Sequence, residues 1–258
     1  SNRAYGVDGT FHLLENITAS AYLARTEGPL PLRPSLQGDP PTHGIDRTSW
    51  QTTFDWNADR YGARAELLHV GNAFNPEVGF VRRADFLKSS ATLRFSPRPA
   101  GIPSIRKVTW EASVDHFEGG DGRLQSRSLD GRFDVELETS DRIRLDASRN
   151  FERLDRPFAV GPGLAVAPGA YPFSDLRLSL NTGSHRRVSG NLSLRHGSFY
   201  DGTLSGIGLS GARLVVSNQL SLEPGVTLNR IDLPQGRLAQ RLLRARADSA
   251  FTPRMFSR

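Results

Sequence analysis

Cysteine is absent from all 258 residues. That excludes disulfides and thiolate metal sites, and it fits an oxidising envelope compartment. No long apolar run occurs and the mean hydropathy is −0.41, so a transmembrane helix is excluded. A membrane barrel passes the same test, because its strands are apolar on one face only. No GxxxxGK[ST] or GxGxxG loop precedes a helix, so the phosphate-cradling motifs are missing. The histidines at 12, 43, 69, 116 and 185 lack metal-ligand spacing. No metal or cofactor is expected. No composition break divides the chain, so residues 1–258 read as a single domain. No signal peptide precedes Ser1, so the chain is expected to begin after processing or to be a segment of something longer.

What is present is alternation. In residues 132–151, Phe133, Val135 and Leu137 share one face, and Ile143, Leu145, Ala147 and Phe151 share another. Arg132, Asp134, Glu136, Glu138, Arg142, Arg144 and Asp146 take the opposite side. Successive strand side chains point to opposite faces, so this is a hairpin with one apolar and one ionic face. A three-residue turn, Thr139-Ser140-Asp141, sets Leu137 opposite Ile143 and Val135 opposite Leu145. It also sets Glu136 opposite Arg144 and Glu138 opposite Arg142. These acids alternate with apolar residues and read as a lumen wall, not as a glycosidase dyad.

The unit recurs. Leu176, Leu178 and Leu180 alternate with Arg177, Ser179 and Asn181, then Leu192 and Leu194 with Asn191, Ser193 and Arg195. Leu214 and Val216 meet Leu222 and Leu220, with Arg213 facing Glu223. Trp50, Phe54 and Trp56 pair with Leu67, Ala63 and Tyr61 across residues 57–60. Between hairpins lie stretches rich in Pro and Gly at 27–46, 71–83, 118–124 and 154–172. Short turn then long loop is the rhythm of a transmembrane barrel. The connection around Pro97, Pro99 and Pro103 is a turn-side link of about eight residues, longer than that rhythm implies. Residues 237–251 have helical propensity but alternate, and read as a strand. Trp56, Tyr61, Trp110, Phe117, Phe151, Phe199 and Tyr200 lie near strand ends or on outward faces, as interfacial girdles require.

The net charge is +6. A nucleic-acid surface needs basic residues clustered on one face among aromatics. Here the arginines are scattered along strands and interleaved with Asp and Glu, which suits lumen and rim. No nucleic-acid partner is expected.

Several stretches together carry a resemblance: NRAYGVDGTF (2–11), FDWNADRYGARAELLHVGNAFNPEVGFVRRADF (54–86), FSPRP (95–99), HGSFYDG (196–202), LEPGVTLNRIDLPQGR (222–237) and FTPRMF (251–256). They resemble the barrel region of an uncharacterised bacterial envelope family, in which the barrel usually follows a module similar to family-9 carbohydrate-binding domains. FNPEVGFVRR is the most specific segment. The resemblance implies an outer-membrane β-barrel, often labelled hydrolase-like through the attached module. No catalytic residue carries over. The sequence departs from the full pattern by lacking the N-terminal module and the last strands, so a glycan partner is expected only through such a module and is not carried over to these residues.

Two motifs are candidates for chemistry. The loop 74–83 joins Asn75-Pro76, Gly79 and the charges of Glu77, Arg82 and Arg83, and could fold into the lumen as a constriction or gate. The alternative is a packed loop in which Glu77 pairs with an arginine and Phe74 and Phe80 act as anchors. His196 and Ser198 share the outward face of one strand, a faint likeness to outer-membrane phospholipase barrels. A hydroxyl nucleophile needs an adjacent base held by a third group. Asn191 has the wrong parity to be that group, so a strand-end role for the pair is favoured.

The expected fold is all-β: an antiparallel up-and-down transmembrane barrel of about thirteen strands. They lie near 3–13, 17–26, 47–56, 61–70, 84–95, 105–117, 125–138, 142–153, 173–182, 188–199, 207–216, 220–231 and 237–251. Single-chain bacterial barrels use even counts, so an incomplete segment of a larger barrel is expected, with Met255-Phe256 opening a further strand. The leading function is an outer-membrane channel, or a scaffold for the attached module, with outer-membrane lipid as its partner. An outer-membrane hydrolase and a soluble β-sandwich binding module are the alternatives.

Overall fold

The computed structural model describes residues 3–28, 44–76, 83–217, 219–252 and 255–257, with side chains through Ser249. Sixteen strands follow one another among these residues, with no helix. They are β1 (Arg3–Leu14), β2 (Ile17–Glu27), β3 (Thr48–Asn57), β4 (Tyr61–Val70), β5 (Phe86–Phe95), β6 (Ile105–Gly119), β7 (Leu124–Leu137) and β8 (Arg142–Leu154). Then come β9 (Phe158–Gly161), β10 (Leu164–Val166), β11 (Gly169–Thr182), β12 (Val188–Phe199), β13 (Gly202–Ser217), β14 (Leu220–Leu233), β15 (Gly236–Thr252) and β16 (Met255–Ser257). Fourteen form one antiparallel sheet in chain order, while β9 and β10 pair only with each other. One continuous sheet is not the two-layer arrangement of a β-sandwich. Among the described residues no pairing joins β1 to β16, so the sheet is open with these two strands as its edges.

The thirteen expected strands are all present. Each of them has at least ten residues. Globular strands usually have about five or six, and a tilted bilayer-crossing strand needs about nine to eleven. Three further strands appear. Met255–Ser257 pairs with β15 and makes the main sheet's count even, so the odd count of thirteen is corrected. β9 and β10 arise within the Pro/Gly-rich 154–172 stretch, where Gly163 at φ 70° permits the reversal.

Registers differ from expectation in two hairpins, each by two residues. Val135 faces Ile143, Phe133 faces Leu145, Glu136 faces Arg142 and Asp134 faces Arg144. Trp56 faces Ala63 and Phe54 faces Ala65. A slip of two keeps every side chain on its face, which is all that burial alone can specify. Turn chemistry decides the rest. The Leu137 N–H donates to the Asp141 carbonyl at 2.8 Å, Ser140 takes φ 60°, and Glu138 N–H is drawn to the Ser104 carbonyl at 3.0 Å. In the other hairpin Arg94 clamps the turn by donating to the carbonyls of Ala58 (2.6 Å) and Asp59 (3.1 Å). In a third hairpin Leu214 does face Leu222, but a bulge near the turn sets Ser217 and not Val216 opposite Leu220, and Glu223 pairs with Arg246 of β15 at 3.6 Å where Arg213 was expected.

Hydrogen-bonded rows cross the sheet obliquely. The row Tyr61–Phe95–Trp110–Phe133–Leu145–Leu178–Leu194–Ile207–Leu228–Arg241 starts at the first residue of β4. It ends five residues into β15, at the opposite end of the sheet. Such stagger is what tilted barrel strands produce.

Loop asymmetry holds only in part. On one end, connections 28–47, 71–85 and 155–168 are long, but 120–123, 200–201 and 234–235 are short. The expected long loop at 118–124 contracts because β6 runs on to Gly119 and Gly122 turns at φ 72°. The nine-residue link 96–104 lies on the turn end, as its prolines indicated.

The one apolar core cluster among the described residues sits at the long-loop end. There β9–β10 folds onto the concave side, burying Leu164 and Val166 against Tyr200 and Leu233. Tyr171, Phe173, Phe199, Ile231 and Leu238 pack around them. All five face inward by strand alternation. Leu164→Ala should remove about 2–3 kcal/mol of this packing and release the β9–β10 hairpin alone. Proteolysis should then cut within 155–168 while far-UV circular dichroism keeps its sheet signal. Loss of the whole sheet would contradict this division.

Candidate functional site: the ion-paired concave face

Alternation sends most of the charged residues of β6, β7, β8, β11 and β12 to one side. There they line a concavity of about 840 Å³. Both Glu136 and Arg144 lie in it, though not as partners. Glu136 accepts from Arg106 at 3.1 Å and Arg142 at 3.2 Å. Arg144 donates to Asp134 at 2.9 Å, and Arg142 also reaches Asp134 at 3.4 Å. Arg132 bridges Glu111 at 3.1 Å and Asp146 at 2.8 Å. Arg195 grips Asp175 through both oxygens, at 2.7 and 2.9 Å, and Ser148 donates to the same carboxylate at 2.8 Å. Two-point arginine–carboxylate pairs are directional as well as strong. The result is a wall of opposite charges at close spacing, without a dominant sign. Arg177 stands beside this network, and its guanidinium has no hydrogen bond among the described residues.

Turns lock the hairpins together at the rim. Asp141, between β7 and β8, accepts from the Gly183 N–H at 2.9 Å and from Arg186 at 2.5 and 3.1 Å. The backbone amide first, then Arg186 and the Thr139 hydroxyl, hold its carboxyl down at about 2. At the other end Asp46 accepts from the Thr48 hydroxyl (2.6 Å) and N–H (2.9 Å) and meets His69 Nε2 at 2.6 Å. Burial pushes its carboxyl up, but these bonds outweigh it and the net shift is downward.

Of the 74–83 loop, Glu77 and Arg82 lie outside the described residues. Arg83 stacks over Phe86 at 5.9 Å and Phe117 at 5.4 Å, rings that face the concave side. The preceding residues zip onto the mouth: Ala73 N–H donates to the Asp46 carbonyl at 2.8 Å and Asn75 N–H to Thr26 Oγ1 at 3.0 Å. His196 and Ser198 do share the outward face, but they do not touch as a pair. His196 Nδ1 meets Ser205 Oγ on β13 at 2.9 Å, and Ser198 exchanges bonds with the Ser174 backbone at 2.7 and 3.2 Å. No acid or amide orients His196 among the described residues, and none of these residues form a metal-binding group of acids and histidines. Ser205 was missed because its partner lies across a strand pairing, which chain spacing does not display.

No family model, no curated protein and no solved structure matches the chain.

Two outcomes test this site. Arg195→Gln should destabilise the fold by about 1–3 kcal/mol by leaving a nearly buried Asp175 carboxylate unpaired, and Asp175→Asn in the same chain should restore much of it. Denaturant unfolding of the four variants measures this coupling. For Asp141 the folded pKa lies below the ordinary value of 3.8. Its contribution is therefore complete above that value and disappears as pH falls through about 2. The carboxyl carbon shift of Asp141 should titrate near that lower value and move only part of the way back toward the ordinary one in Arg186→Gln, because the Gly183 N–H and the Thr139 hydroxyl still hold the carboxylate.

Proposed function

We propose that this chain forms the wall of an outer-membrane β-barrel in a bacterial envelope, with the ion-paired concave face as the polar lumen of a channel. The observation that carries the reading is the state of the other face. Thirty-three large apolar residues are exposed among the described residues, and only ten hydrophobic residues are buried. Leu178, Leu194, Ile207 and Leu228 form one unbroken exposed row across four strands. Water does not tolerate a contiguous apolar surface of that extent, whereas lipid solvates it.

Three further features support the reading. The strands are long enough to cross a tilted hydrocarbon layer. Trp56, Tyr61, Phe95, Trp110 and Phe133 stack in a continuous outward row at 5.2–6.3 Å between ring centres, near the turn end. An aromatic girdle at the interface has this form. Finally, β9–β10 projects inward at the mouth, where it narrows passage. In lipid the free edges of β1 and β16 must be paired, with each other or with another strand, because hydrocarbon offers no hydrogen bonds. The channel is the reading taken here; a scaffold role for an attached carbohydrate-binding-like module uses the same wall. Among the described residues no nucleophile, base and orienting group are assembled in support of the hydrolase alternative.

The chain refolded into detergent should run faster on a gel unheated than boiled. Leu194→Arg, at mid-span, should abolish that folded band at a penalty of about 2–4 kcal/mol. Arg144→Gln should keep it, since Arg142 still answers Asp134. Equal damage from both substitutions would reverse or erase the assignment of faces.

A further inference from the structure

The outward face is not uniform from end to end. Strand by strand, no outward-facing position in the turn-side half carries a charge among the described residues. The long-loop half carries many, and most are arginines. Two groups stand out. Arg127, Arg149 and Arg153 project from β7 and β8, and Arg230, Arg237 and Arg241 from β14 and β15. All six are exposed. Each lies within five residues of the long-loop end of its strand.

Within each group the residues are neighbours. Arg127 faces Phe151 and Arg149 faces Leu129, which makes the two arginines diagonal neighbours. Arg241 faces Leu228 and Arg230 faces Ala239, which gives the same diagonal on the second pair. Asp232 answers Arg230 at 2.7 Å and also pairs with Arg237. Among the described residues, the guanidinium groups of Arg127, Arg149 and Arg241 have no hydrogen-bond or ion-pair partner. Between the two groups the same level of the outward face carries Ser174, His196, Ser198, Thr203 and Ser205. These donate and accept hydrogen bonds without adding an acidic charge.

We propose that this half-belt binds phosphate-bearing lipid headgroups, seated against the outside of the barrel at its long-loop rim. The inference rests on the membrane reading above. An unpaired arginine near the middle of a lipid face costs about 2–4 kcal/mol, and near the interface it costs little. The position of all six near the strand ends places their guanidinium groups at headgroup depth. Their flat, five-donor fork matches two phosphate oxygens at once. The strand ends at the opposite rim carry aromatic rings and no outward charge among the described residues, so the two leaflets that meet this protein differ, and the phosphate-rich one lies on the long-loop side. His196 and Ser205 are then headgroup contacts instead of a catalytic pair.

The test uses the full chain refolded in uncharged detergent and titrated with short-chain phosphatidic acid or, separately, phosphatidylcholine, with binding read by native mass spectrometry. The wild-type chain should take up phosphatidic acid at least about tenfold more tightly than the zwitterionic lipid, as juxtaposed basic residues near an anionic surface do. The triple variant Arg127→Gln, Arg149→Gln, Arg241→Gln should lose that preference. The inward-facing control Arg177→Gln should keep it, and excess inorganic phosphate should fail to displace the lipid. Equal phosphatidic acid binding by wild type and the triple variant, with the heat-sensitive folded band intact in both, would overturn the proposal and leave the barrel reading standing. Displacement by free phosphate would show a simple anion site and would also overturn it. A wild-type chain with no folded band would instead count against the membrane reading itself, and the headgroup site would fall with it.

Discussion

A sheet one layer thick has no second layer in which to hide its apolar side, and the rest of this structure follows from that constraint. Two-residue alternation makes every strand two-faced. With fourteen strands in chain order, the faces merge into two continuous surfaces of opposite character. A soluble sandwich would fold one such surface against its twin. Among the described residues nothing covers it, since the short β9–β10 hairpin sits on the polar side.

The concave surface solves a different problem. Its charges lie close together on neighbouring strands, where like charges repel and unpaired ones attract water into a narrow space. The pairings spread that load: Asp134 serves Arg142 and Arg144, Glu136 serves Arg106 and Arg142, and Arg132 serves two acids. Because most of these groups keep partial exposure, each pair adds modestly to stability. Their larger effect is on register and on the electrical character of the surface, which is polar and balanced. At the mouth, aromatic and aliphatic side chains replace the charges and anchor the inserted hairpin.

Much of this was legible in the residues, for identifiable reasons. Alternation located all thirteen long strands and the face of each side chain, because both depend only on parity. Pairing partners were less legible. The β7–β8 and β3–β4 registers each slip by two, since a slip of that size leaves burial unchanged and the choice falls to bonds from elsewhere in the chain, Ser104 to Glu138 and Arg94 to Ala58. Partner choice in the ionic wall follows the register, so Glu136 faces Arg142 and not Arg144. The β9–β10 hairpin was hidden in a stretch that reads as Pro/Gly loop, because its few apolar residues find their partners on β8, β11, β12, β14 and β15. Loop lengths at 120–123 and 200–201 were misjudged where a strand simply ran further than its alternation suggested.

The absence of cysteine makes the central claim directly measurable. Single cysteines placed along β11 at 176, 177, 178, 179 and 180 and carrying nitroxide labels would report the surroundings of each position in lipid vesicles. Labels at 176, 178 and 180 should be open to oxygen dissolved in the bilayer and closed to a water-soluble nickel chelate, with 177 and 179 showing the reverse. Chelate access at all five positions, or no alternation between them, would show that the apolar face does not meet lipid and would contradict the account.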